Sequence, residues 1–201
     1  MIFKLENMSS NQRYHLITQT VLPRPIAWIL TANQEETFNL APFSYFAALS
    51  SEPALLVVSI GNKNKNLNKD TKTNLLREKE CILHIPSREL ADEVNTSAAT
   101  LAYGDSEVSQ QGLSLTPFTS TLPRLSNAKV AMHCRLYDVH QLGDSQSACY
   151  LEVLSIHVED KLVSEDSGRY IIDSLALSPL SRLGGNQYGV LTETLSLKRP
   201  S

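Results

Sequence analysis

The chain has 201 residues, 42% of them apolar and 19% charged, and a formal net charge of −3, a length and balance that suit one domain with one sizeable core. Without a positive excess there is no field to hold nucleic acid or an anionic membrane surface. No run approaches the roughly 18 apolar residues of a spanning helix. The start of the chain lacks a charged-then-apolar leader pattern, so the expectation is a cytoplasmic protein.

From Ser9 to Thr20, Ser capping signals and the absence of proline predict a short helix. Pro23 and Pro25 end it and stiffen the approach to Ile26–Leu30, an apolar run of strand length. Asn33-Gln34-Glu35-Glu36 then turns the chain into Thr37–Leu40, the pattern of an antiparallel hairpin. Ala54–Ile60, closed by Gly61, is nearly continuously apolar, which predicts a strand buried on both faces under helices. The polar run Asn62–Asn66 reads as a mobile loop leading to Lys69. A helix follows over Thr71–Glu78 with Asp70 as its N-cap, then a strand Cys81–Ile85 and a second helix from Arg88 to Ala99.

Residues 104–127 carry little periodicity, and a connection of that length suggests a lid or binding segment. Ala128–Val139 and Ala148–Val158 read as a hairpin joined through Leu142–Gln146, and the tail from Ser164 reads as irregular up to Arg182. Five or six strands with few helices predict a mainly β, barrel-like single domain over residues 1–201.

Cys81, Cys134 and Cys149 are odd in number, lack CxxC spacing and sit in apolar strand patterns, so they read as buried thiols. The five histidines show no metal-ligand spacing, and no GxSxG nucleophile elbow is present. No metal site and no catalytic acid–base residue is expected. Trp28, the single tryptophan, reads as a core residue of its strand.

Two segments point to chemistry. In Asn39-Leu40-Ala41-Pro42-Phe43-Ser44, Pro42 lacks a backbone donor, so the stretch belongs at a sheet edge, where it could carry a ligand. Lys69-Asp70-Thr71 opens a helix whose free N–H groups and dipole, beside lysines, form an anion site. A planar heterocycle along the first segment, with its phosphate at the second, describes flavin mononucleotide.

The runs Pro23-Arg24-Pro25-Ile26-Ala27-Trp28, Asn39–Ser44 with Phe46, Ser50-Ser51-Glu52-Pro53, and Lys69-Asp70-Thr71 with Asn74 resemble the flavin reductase-like family. Gly112-Leu113, Pro123-Arg124, Gly184-Gly185 and Tyr188 match its pattern in order, so the likeness covers roughly residues 20–190. The resemblance implies an FMN-binding split barrel of antiparallel, Greek-key type, and a homodimer with flavin at or beside the interface. It implies flavin contacts at Arg24, Ile26, Ala27, Asn39, Ala41, Pro42, Ser44, Ser59, Gly61, Lys69 and Thr71, with backbone amides of Asn39–Ser44 facing the ring. Arg124, Arg182 and Tyr188 are candidates for the substrate mouth. The implied activity is transfer of hydride from NAD(P)H to flavin N5 and of electrons to an acceptor, a protein or free flavin. The alternative is an FMN-binding electron carrier without nicotinamide activity.

Overall fold

The computed structural model describes residues 1–64, 67–198 and 200. The chain opens with helix α1 (Ser10–Thr20), started by a reciprocal capping box between Ser9 and Gln12. Strands β1 (Arg24–Pro25), β2 (Ala27–Ala32), β3 (Phe38–Phe43), β4 (Phe46–Ser51), β5 (Ala54–Asn64) and β6 (Leu67–Asn68) lead to helix α2 (Asp70–Glu78). Strand β7 (Glu80–Ile85) and the short helices α3 (Ala91–Thr96) and α4 (Glu107–Gln110) precede β8 (Leu115–Pro117) and β9 (Pro123–Leu125). The long hairpin β10 (Val130–Leu142) and β11 (Gln146–Val158) follows. Next come the hairpin β12 (Val163–Asp166) and β13 (Arg169–Ile172), helix α5 (Ser174–Leu177), and strands β14 (Leu180–Arg182) and β15 (Tyr188–Val190).

The main sheet runs β3-β2-β7-β10-β11-β5-β4, with β6 paired to β5 and every pairing antiparallel. Three hairpins (β2–β3, β4–β5, β10–β11) are joined by neighbours distant in sequence, β2 with β7 and β5 with β11, the non-sequential winding of a Greek-key-type sheet. The fold is mainly β, as expected, but its strands are more numerous, and those read from the sequence run longer, β5 on to Asn64 and β10 on to Leu142. The tail is not irregular: β12 to β15 organise it, and β14 pairs with β1.

Strands β2 and β7, not β5, are buried on both faces. Trp28 and Leu30 enter one core with Leu40, Ile82, Val94 and Leu122, while Ala27 and Ile29 enter another with Val58, Ile60, Leu75 and Leu83. Strand β5 alternates instead: Leu56, Val58 and Ile60 are buried, and their neighbours are partly open. All three cysteines are buried in the second core, and Trp28 is fully buried. The helix expected over 88–99 is shorter, a 3-10 turn followed by α3, and its loss of regularity after Thr96 releases Ser97–Leu101 to other work.

Candidate functional site

Strand β3 lies at an edge of the main sheet, the place proline requires. Register pairs Asn39, Ala41 and Phe43 with Thr31, Ile29 and Ala27 of β2. The alternate positions, Leu40 and Pro42, turn their backbone outward. Leu40 N–H donates to the Glu107 carboxylate at 2.9 Å, and Ser106 Oγ donates to the Phe38 carbonyl at 2.6 Å. The edge is therefore closed by side chains of the α4 start and by proline. Of the stretch 39–44 whose amides were expected to face a flavin ring, positions 39–43 keep no outward amide free. Residues 104–127, read as a lid or binding segment, are hydrogen-bonded to the β3 edge, and their Glu107 lines the cavity described below.

Helix α2 begins one residue earlier than expected. Asp70 is its first helical residue, and Lys69, which has no side-chain oxygen to offer, stands at the N-cap. The helix N-terminus thus lacks a capping acceptor at its N-cap, and the one acidic side chain in its first turn is Asp70. Asp70 instead pairs with Lys63 at 2.7 Å, both side chains largely buried, and Lys63 also donates to the Leu101 carbonyl at 3.1 Å. Lys69 lies over the Phe43 ring, 5.7 Å from its centroid. Desolvation, and then the neighbouring Lys63, push the Lys69 ammonium below its usual value.

These elements meet at a cavity of about 120 Å³ lined by Asn39, Ala41, Pro42, Lys63, Lys69, Asp70, Thr71, Glu107 and the segment Ser97–Leu101. Five residues singled out in the sequence therefore share one site: Asn39, Ala41, Pro42, Lys69 and Thr71. Asn39 and Thr71, 32 positions apart, are joined directly, Asn39 Nδ2 donating to Thr71 Oγ1 at 2.9 Å. Burial pushes the Glu107 carboxyl up from its usual value, with Asp70 adding to the effect. A volume of this size is well below the roughly 300 Å³ of a full small-molecule pocket. It suits one end of a ligand, a phosphate group above all: Lys69, a hydroxyl and an uncapped helix start converge there, while Lys63 is taken up by Asp70.

The other candidates lie elsewhere. Ile26 and Ala27 are buried in the two cores. The buried Arg24 guanidinium donates to the carbonyls of Thr18, Val21 and Leu183 and, at 3.4 Å, to Ser44 Oγ. Ser44 lines a separate apolar recess with Ile17, Tyr45 and Phe46. Ser59 accepts from Gln146 Nε2 at 2.7 Å, and Gly61 backs onto the same glutamine. Arg124 lies in a mixed-charge groove with Lys129, His157 and Asp160. Arg182 stacks on Tyr188, whose hydroxyl donates to Asn95 two residues before the cavity-lining segment begins. Sequence reasoning missed Lys63, Glu107 and Ser97–Leu101.

The flavin reductase like domain matches residues 19–173. The chain belongs to the flavin reductase-like family. The uncharacterized protein BH2278 of Halalkalibacterium halodurans is 35% identical, with 98% of this chain and 95% of that one covered. The uncharacterized protein YwrF of Bacillus subtilis is 32% identical over 100% and 99% of the two chains. Nitrilotriacetate monooxygenase component B from Bacillus cereus superposes with a TM-score of 0.89 at 27% identity over 98% of each chain. The 2-nitrobenzoate 2-nitroreductase NbaA of Pseudomonas fluorescens gives the same TM-score and identity over 100% and 97%. A Shewanella frigidimarina protein with a split barrel domain, 17% identical at TM-score 0.85, identifies the fold as that barrel. Among the described residues of this family member, no group of His, Cys, Asp and Glu could hold a metal ion. None of its described helices is long and apolar enough to cross a membrane.

Proposed function

We propose that this flavin reductase-like protein binds FMN with its phosphate in the Lys63–Lys69–Thr71 cavity and its ring extending outward past Ala41 and Pro42. The observation that carries this reading is the junction of Asn39 and Thr71 beside an uncapped helix start flanked by two lysines. Bound FMN would supply the redox chemistry, accepting a hydride at N5 from NADH or NADPH and passing electrons to an acceptor. The chain's own tasks are fewer. Lys69 balances the phosphate charge while Lys63 neutralises Asp70 beside it, Thr71 and the first turn of α2 donate to its oxygens, and Ala41 leaves room for the ring.

Since the cavity encloses only one end of such a ligand, the site is completed by a second copy of the chain. Supporting this, β4 at the other edge of the main sheet leaves Ala47, Ala48 and Leu49 exposed. Sedimentation velocity of a homodimer would show one species near twice the 22.3 kDa chain mass.

The deciding experiment is an absorption spectrum of the purified protein with FMN, before and after NADH or NADPH under anaerobic conditions. Bound flavin that bleaches faster than free FMN supports the reductase. Bound flavin that stays oxidised supports the electron carrier instead. Failure to take up FMN overturns both.

A further inference from the structure

Behind the cavity, out of reach of any ligand in it, lies a buried polar chain that a barrel wall does not need. Thr31 on β2 and Asn74 on α2 are both fully buried, and neither lines the cavity. Thr31 Oγ1 accepts twice, from Asn74 Nδ2 at 3.1 Å and from Asn39 Nδ2 at 3.2 Å. The second hydrogen of Asn74 goes to Asn33 Oδ1 at 2.9 Å, and that of Asn39 to Thr71 Oγ1 at 2.9 Å. Both amide hydrogens of Asn39 are thus committed, and Thr71 is committed as an acceptor toward the protein. Its own hydrogen finds no acceptor among the described residues and is left for the cavity.

Asn74 makes this arrangement at a cost, because its Oδ1 is buried without a hydrogen-bond partner. An apolar residue would avoid that penalty if the position served packing alone.

We propose that Thr31 and Asn74 are positioning residues for the anion site. They fix the orientation of the Asn39 amide, which makes Thr71 a hydrogen-bond donor to a ligand phosphate. The proposal rests on the phosphate placement given above, and it concerns the phosphate alone. A flavin without one has nothing to gain from the Thr71 hydroxyl.

The test compares the affinities of FMN and riboflavin, by quenching of flavin fluorescence, in the full-length protein and in Thr31→Val, Asn74→Leu and Thr31→Ser. Loss of one hydrogen bond to a charged group corresponds to about tenfold or more in affinity. Thr31→Val and Asn74→Leu are expected to weaken FMN by about tenfold, with riboflavin within about twofold of wild type. Thr31→Ser, which keeps the hydroxyl, restores FMN binding. If FMN and riboflavin weaken together, or neither changes in folded variants, the positioning role is refuted. Should Thr31→Val not fold, Asn74→Ala supplies the same ratio from the helix side. A wild-type protein that binds FMN no more tightly than riboflavin overturns the phosphate placement itself, and this proposal with it.

Discussion

Replacing Lys63 with Met removes the cation from a pair that has little access to water. The Lys63 and Asp70 side chains are 14% and 6% exposed and their charged atoms are 2.7 Å apart. Their attraction at that distance is about 6 kcal/mol at an effective dielectric of 20 and about 1.5 kcal/mol in bulk water. The substitution also strands the Asp70 carboxylate, and breaking a buried pair on one side costs about 3–5 kcal/mol. With partial relaxation toward the cavity, Lys63→Met is expected to destabilise the apoprotein by about 3 kcal/mol. In urea, a slope of about 2–3 kcal/mol/M turns this into a midpoint shift of about 1–1.5 M. Adding Asp70→Asn removes the stranded charge and should recover at least half of the loss. Equilibrium urea denaturation followed by Trp28 fluorescence measures both variants. A single variant costing under about 1 kcal/mol, or a double variant no more stable than the single, would refute the argument that Lys63 neutralises a buried charge.

Three further outcomes are expected. His84 bridges the Trp28 carbonyl at Nδ1 and the Leu125 N–H at Nε2, and burial holds its imidazole down at about 4. It is neutral in the fold but protonates in the unfolded chain below about 6.5. Its contribution is therefore complete above pH 6.5 and is lost as pH falls toward 4, about 3 kcal/mol in all. Urea titrations at pH 7, 6, 5 and 4 should show a steeper decline for wild type than for His84→Gln. Ser97→Ala strands the buried Trp28 indole N–H, which donates to Ser97 Oγ at 2.8 Å. It should cost about 1–3 kcal/mol, read by thermal and urea melts. Lys69→Ala with Thr71→Ala should abolish FMN retention while the far-ultraviolet circular dichroism stays unchanged. A double variant that still purified with stoichiometric FMN would remove the phosphate assignment.

What the sequence disclosed was local. Pro42 announced an edge strand because its missing donor acts within its own residue, and Lys69 to Thr71 announced a helix start through dipole and capping rules that span one turn. Lys63 escaped because Asn62–Asn66 has the composition of a loop. Strand β5 runs on through Asn64 nonetheless, held by pairing with β6 and by the Asn62 N–H on the Ser145 carbonyl; residues 65 and 66 lie outside the described residues. Glu107 escaped for a different reason. Its partner is the backbone of Leu40, 67 positions away, and no periodicity encodes a carboxylate closing a distant sheet edge. Ser44, Ser59 and Arg24, which the family resemblance implies as flavin contacts, are held by protein partners outside the cavity.

The Arg24 clasp bears on the order in which the protein can be built. Helix α1 buries only Thr18 among its residues, so little apolar area holds it to the barrel. Its C-terminal carbonyls are held by a guanidinium whose other partners are Ser44, 20 residues on, and Leu183, 159 residues on. At about 5–20 residues per second, a ribosome needs roughly 8–30 s to cover that interval. The clasp around the end of the first helix is thus complete only once the chain around the strand that pairs with β1 has been made.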